Sequence, residues 1–166
     1  MNKSAVATIA FLLFIAAALA NDPPERKEGL WVTHSVQTEN PGNNQTEFTQ
    51  STCRSHAYDQ YEQGLMKDLM ARMSMCTVTD STHGNVYQSN QLCTVLGVAI
   101  DRKETTTYLG DSSIHFESHA TLKPAKNGVS ERTIVTDQKY AGACPADLQP
   151  GDMKSADGKV HHLWRH

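Results

Sequence analysis

Mainly β with one helix is the fold class that this 166-residue chain predicts. We expect an antiparallel meander forming a curved sheet or barrel, with the helix packed against it and two disulfides. Three observations predict this. Thr, Val, Tyr and Ile recur in short runs separated by Gly, Asn and Asp turns, with no helical period after residue 75. Residues 56–75 alone change to a three- and four-residue period. Four cysteines, an even number, stand in a chain whose first twenty residues have the form of an export signal.

That signal comes first in the chain. Lys3 supplies a positive charge, residues 5–17 an apolar run, and Ala18-Leu19-Ala20 the small-x-small pattern of a cleavage site. Residues 1–20 are therefore expected to be removed before Asn21. The uncharged run of about 16 residues is shorter than the roughly 20 that span a bilayer as a helix. No later stretch could span one, so we expect a soluble periplasmic or secreted protein. The net charge of −3 leaves no basic footprint for phosphates, which excludes nucleic acid as the expected partner.

Residues 21–28 (NDPPERKE) read as a flexible, charged lead-in. A strand follows at 30–36, with Leu30, Val32 and Val36 on one face and Trp31, Thr33 and Ser35 on the other. The turn cluster Asn40-Pro41-Gly42-Asn43-Asn44 breaks it, and a second strand runs over 48–53. The helix takes 56–75, with Ser55 as its N-cap and Tyr58, Tyr61, Leu65, Met66, Leu69, Met70 and Met73 as its apolar stripe. Gly64 weakens it by about 1 kcal/mol relative to Ala. Strands are expected at 75–80, 86–95, 104–109, 113–122 and 129–140, then a loop at 146–157. A single β-rich domain over 29–158 and a His-rich tail over 159–166 complete the organisation.

Four cysteines allow three pairings, and hairpin arithmetic selects one. A two-residue turn at Gly84-Asn85 pairs residues whose numbers sum to 169, so Cys76 faces Cys93. A narrow antiparallel pair has Cα atoms about 4.5 Å apart, at the short end of what a disulfide tolerates. Cys53 is then left for Cys144. With no CxxC present, redox-motif and zinc-ribbon readings lose their support.

The order of these signals, opened by Gly29-Leu30-Trp31 and closed by Ala143-Cys144-Pro145-Ala146-Asp147-Leu148-Gln149-Pro150-Gly151-Asp152-Met153, resembles the bacterial family called domain of unknown function 3617. Its members are small exported envelope proteins with a GLWE-type start and an ACPADLKPGDM-type end. The resemblance covers residues 29–158, and the closing motif carries most of it. Val32 stands where Glu is usual, and the His-rich tail is not a family feature. The resemblance implies export, a β-rich domain and paired cysteines, and it brings no activity with it.

No GxSxG, HExxH or Gly-rich phosphate loop is present, and paired cysteines cannot act as nucleophiles, so we expect no enzyme and no cofactor. Asp147, Asp152 and Asp157 read as turn composition before they read as a calcium or two-carboxylate site. The expected function is a binding or interaction module for a small apolar or lipid-like ligand or a protein partner. Trp31, Tyr87, Tyr108 and Tyr140 are its candidate ligand-binding residues, joined by Phe48. The alternative is envelope metal handling, with copper taken by soft thioethers at Met66, Met70, Met73 and Met75 beside His56. His115, Glu117 and His119 alternate on one strand face, about 7 Å apart at successive Cα atoms, and form a second candidate metal set. His161, His162 and His166 with Trp164 form a third, loosely held in the tail.

Overall fold

The computed structural model describes residues 24–72 and 76–164, so the expected signal segment lies outside the described residues. Its elements are β1 (Gly29–Asn40), β2 (Asn44–Arg54), α1 (His56–Arg72), β3 (Cys76–His83), β4 (Val86–Val95), β5 (Val98–Tyr108), β6 (Ser113–Lys126), β7 (Val129–Gly142), β8 (Asp152–Ser155) and β9 (Val160–His162). They form one nine-stranded sheet in the order β3-β4-β5-β6-β7-β1-β2-β8-β9. Every pairing is antiparallel. β3 and β9 remain as edges, so of the two expected shapes the sheet adopts the open, curved one.

Strand alternation decides what is buried. Trp31, Thr33 and Ser35 point to the buried side of β1, although Leu30, Val32 and Val36 make the opposite side more aliphatic. One indole, with 150–250 Å² to bury and aromatic neighbours on adjacent strands, outweighs three scattered aliphatics. Burial of the Ser35 hydroxyl is offset by a 2.8 Å hydrogen bond between Ser35 Oγ and Thr136 Oγ1. No buried side-chain nitrogen or oxygen among the described residues lacks a partner.

The β3–β4 hairpin closes at His83↔Val86 around Gly84 and Asn85, and Cys76 pairs with Cys93 as the arithmetic requires. Their Cα atoms are 4.0 Å apart and the two are bonded. The second disulfide joins Cys53 to Cys144. Gly29 explains why a glycine opens the domain. Its φ is 138°, and a Cβ there would lie 2.3 Å from the Gly142 carbonyl oxygen, at the register shift where β1 leaves β7.

Several expectations need correction. Residues 98–103, not expected to be strand, begin β5 after a turn in which Leu96 and Gly97 both have positive φ. The expected loop at 146–157 contains β8, which pairs with β2. The expected tail at 159–166 contains β9, which pairs with β8. Both strands are too short to show alternation; their place is set by the closing motif, where Gly151 N–H donates to Cys53 O and Leu163 N–H to Gly151 O.

The lead-in is likewise held over its described part. Arg26 donates to Gln138 and lies over the Trp31 ring, while Lys27 accepts the Trp31 indole N–H and pairs with Asp111. Ser55 caps α1 as expected, accepting from Tyr58 N–H at 3.2 Å. Among its described side chains the helix packs through its first two turns: Tyr58 is buried and, with Tyr61, meets the Trp164 ring at 5.9 Å, whereas Leu65, Met66 and Leu69 are exposed. These aromatic contacts and the Arg54 pairs with Asp59 and Glu62 attach it, and of the expected stripe Leu65, Met66 and Leu69 do not serve as core.

Candidate functional site: a concave face closed at one end and open at the other

The buried face of the sheet is a grid whose rows run across the strands. At one end Trp31 lies opposite Tyr140, and Tyr108 opposite Ile114. Trp31, Tyr108 and Ile114 form the buried cluster, with Tyr87 and Tyr140 packed on it. Trp31 meets Tyr140 edge-on at 6.2 Å, and Tyr87 meets Tyr108 edge-on at 5.4 Å. All four expected ligand-binding aromatics therefore come together, and they fill the space between them as core.

Arg54, from the end of β2, closes this region. Its guanidinium donates to Asp59 at 2.7 Å, pairs with Glu62, and lies 5.0 Å over the Tyr58 ring. Burial works against the Arg54 charge, but Glu62 and Asp59 outweigh it and hold the group above its ordinary pKa. Burial first, then the Glu62 charge, pushes the Tyr58 hydroxyl up to about 12. Gly151 packs here for want of a side chain, since a Cβ would lie 2.6 Å from Trp164 Cβ and 3.2 Å from Tyr58.

Over the next three rows the same face opens. The rows read Thr106, Phe116, Thr136, Ser35; then Glu104, Ser118, Ile134, Gln37; then Arg102, Ala120, Arg132, Glu39. Ile100 and Leu122 pair beyond them, next to the Cys93 end of the short disulfide. On β6 the inward residues run Ile114, Phe116, Ser118, Ala120, Leu122, so the two smallest stand in the middle. They leave a cavity of about 250 Å³ whose apolar wall is Phe116, Leu122, Ile134 and Ile100. Arg102, Glu104 and Arg132 stand at its rim.

These lining residues are not among the expected ligand-binding aromatics. The available signal was the inward period-two set on β6, with its small pair between larger residues. Phe48 instead borders a broad open trough with Gln50, Ser155 and His161. Tyr108 and His56 border a polar cavity of about 330 Å³ between the lead-in and the helix.

The expected metal residues are scattered. His56 Nε2 bonds to the Arg26 carbonyl and Nδ1 pairs with Glu25, at the start of α1. Met66 is exposed ten residues further along, about 15 Å away by helical rise. Met73, Met75 and His166 lie outside the described residues, as does the side chain of Met70. His115 and Glu117 meet on the outer face, where His115 Nε2 lies 3.1 Å from Glu117 and Nδ1 2.9 Å from Asp137. The hydrogen bond to Asp137 first, then that to Glu117, raises the His115 pKa. Both ring nitrogens are thus taken, and His119 is exposed two residues on. Among the described residues no three His, Cys, Asp or Glu converge as a metal-binding group. Among them, too, no helix is long and apolar enough to cross a membrane.

Comparison of the chain with protein-family models, with curated proteins and with solved structures found no match in any of the three.

Proposed function

We propose that this is an exported, non-enzymatic binding module that takes a small apolar or lipid-like ligand at the open end of its concave face. One observation carries the reading: the cavity of about 250 Å³ on the concave face has an apolar wall of Phe116, Leu122, Ile134 and Ile100, whereas the cavity of about 330 Å³ beside Tyr108 is lined mainly by polar and charged side chains. Its volume lies just below the roughly 300–1,000 Å³ of sites for drug-sized molecules, so it suits one short alkyl chain or a small ring system. Two disulfides are the kind of crosslink that persists in oxidising compartments. Together with the signal-like start and the closing motif, they support a periplasmic member of the domain of unknown function 3617 family.

The test is a fluorescence titration of the oxidised protein with the neutral apolar dye N-phenyl-1-naphthylamine. We expect saturable binding at one site, abolished by Ala120→Trp with the urea midpoint unchanged. Folded protein that shows no saturable binding overturns the ligand reading, and the curved sheet then stands as a surface for a protein partner.

A further inference from the structure

We infer that the ligand of this cavity is an anionic amphiphile, a short alkyl chain carrying a carboxylate, whose head is held between Arg102 and Arg132. The inference rests on the ligand reading above and adds the chemistry of the head.

Arg102 and Arg132 occupy β5 and β7, and both lie directly opposite Ala120 on the strand between them. Their Cα atoms are two strand spacings apart, on the order of 10 Å. The methyl group of Ala120 leaves the space above it open to both side chains. Two guanidinium groups across such a gap match the width of one carboxylate with its hydrogen-bonded shell, and Arg binds that group through paired N–H donors.

The carboxylates beside them do not consume this capacity. Arg102 spends one N–H on Glu104, at 3.0 Å, and Arg132 spends two on one oxygen of Glu39, at 2.9 and 2.6 Å. Each guanidinium carries five donors, so both retain donors for a ligand. Glu104 also accepts from Gln91 at 2.9 Å, and Glu39 from Gln37 at 3.0 Å. These acids orient the arginines and keep partners of their own. Apolar side chains flank this row on both sides along the strands: Ile134 and Phe116 stand toward the packed end, and Ile100 with Leu122 toward Cys93. Spare guanidinium donors set among hydrocarbon side chains offer the two kinds of contact that an amphiphile needs.

Calorimetric titration of the full oxidised chain with octanoate, 1-octanol and octylammonium tests this at neutral pH and low salt. We expect octanoate to bind at least tenfold more tightly than octanol, and octylammonium to bind weakest. The double variant Arg102→Gln/Arg132→Gln should bring octanoate down to the octanol level and leave octanol unchanged. Both side chains are more than 40% exposed and both acids keep a glutamine partner, so that variant is expected to fold. Arg102→Lys/Arg132→Lys should recover part of the preference through charge alone. Equal binding of the three compounds overturns the anionic head while the cavity reading stands. An octanoate preference that survives the glutamine variant places the head elsewhere and overturns the inference. Absence of binding by all three compounds, confirmed with the neutral dye, overturns both.

Discussion

The two ends of the concave face are built by the same strands with the same alternation, yet one is closed and the other holds a cavity. At the closed end the inward positions of β1, β5, β6 and β7 are Trp31, Tyr108, Ile114 and Tyr140, and their bulky side chains fill the gap between strands. At the open end β6 supplies Ser118 and Ala120, and β5 and β7 supply arginines whose ends reach toward solvent. Side-chain volume on the central strand is the difference. A curved sheet thus becomes core or container according to what two or three alternate positions carry, while the backbone stays regular.

The largest expected effect comes from the crosslinks, which sit at opposite ends of this comparison. Cys53–Cys144 spans 91 residues and ties β2, beside Trp31, to the closing motif. Cys76–Cys93 spans 17 and lies next to Ile100 at the open end. In the chain-entropy account the first contributes close to 5 kcal/mol and the second about 3. Replacing each pair by alanine should therefore lower the stability from urea unfolding more for Cys53/Cys144 than for Cys76/Cys93. The reverse order would mean that the open end carries the fold.

Side-chain truncation sharpens the same contrast. Trp31 is 1% exposed, and Trp31→Ala should cost about 4 kcal/mol, the usual result for a core aromatic. Phe116 is half-buried and already faces empty volume, so Phe116→Ala should cost about half as much while weakening the binding of an apolar dye. Equal costs, or dye binding indifferent to Phe116, would erase the distinction between core and container. A smaller effect of opposite sign is expected at the turn that leads into β5. Leu96 has φ 50° and is 87% exposed, a backbone conformation that costs L-residues with a Cβ roughly 1–2 kcal/mol. Leu96→Asn should stabilise by about 1 kcal/mol in thermal unfolding, with dye affinity unchanged.

How much of this was legible depended on whether the signal was local. The hairpin around Gly84-Asn85 and the Cys76–Cys93 bond followed from one turn and a count, and Cys53–Cys144 followed by elimination. The aromatics were legible as a group on one surface, but whether Trp31 and Tyr108 line a cavity or fill it depends on distances between strands far apart in sequence. The Arg102-Ala120-Arg132 row was not legible at all. It needs the Leu96-Gly97 turn, where a leucine takes an unusual φ, and its central feature is an alanine, whose contribution is the side chain it lacks. β8 and β9 were missed because three or four residues carry no periodicity, and the helix stripe misled because Arg54, Asp59 and Glu62 do the anchoring that Leu65, Met66 and Leu69 were expected to do.

The smallest expected effect tests whether the outer face is independent of the open end. His115 lies behind the concave face, opposite Thr107 and Asp137, with Glu117 two residues along. Its hydrogen bonds to Asp137 and Glu117 favour the protonated ring, so its pKa in the folded protein stands above the ordinary 6.5 or so. Between that value and the raised one, the folded state holds a proton that the unfolded state has released. The stabilisation is therefore complete below about pH 6.5 and fades as pH rises through the folded value. The side chain is 33% exposed, which limits the contribution to under about 1 kcal/mol, as for other surface pairs. Urea midpoints of wild type and His115→Gln, measured in parallel from pH 6 to pH 9, remove the other histidines from the comparison. The gap between the two proteins should shrink with rising pH, while the affinity for a neutral dye stays the same in both. A gap that does not change with pH would deny His115 its carboxylate partners. A dye affinity that follows the same titration would show that the back of the sheet and the open end respond as one body.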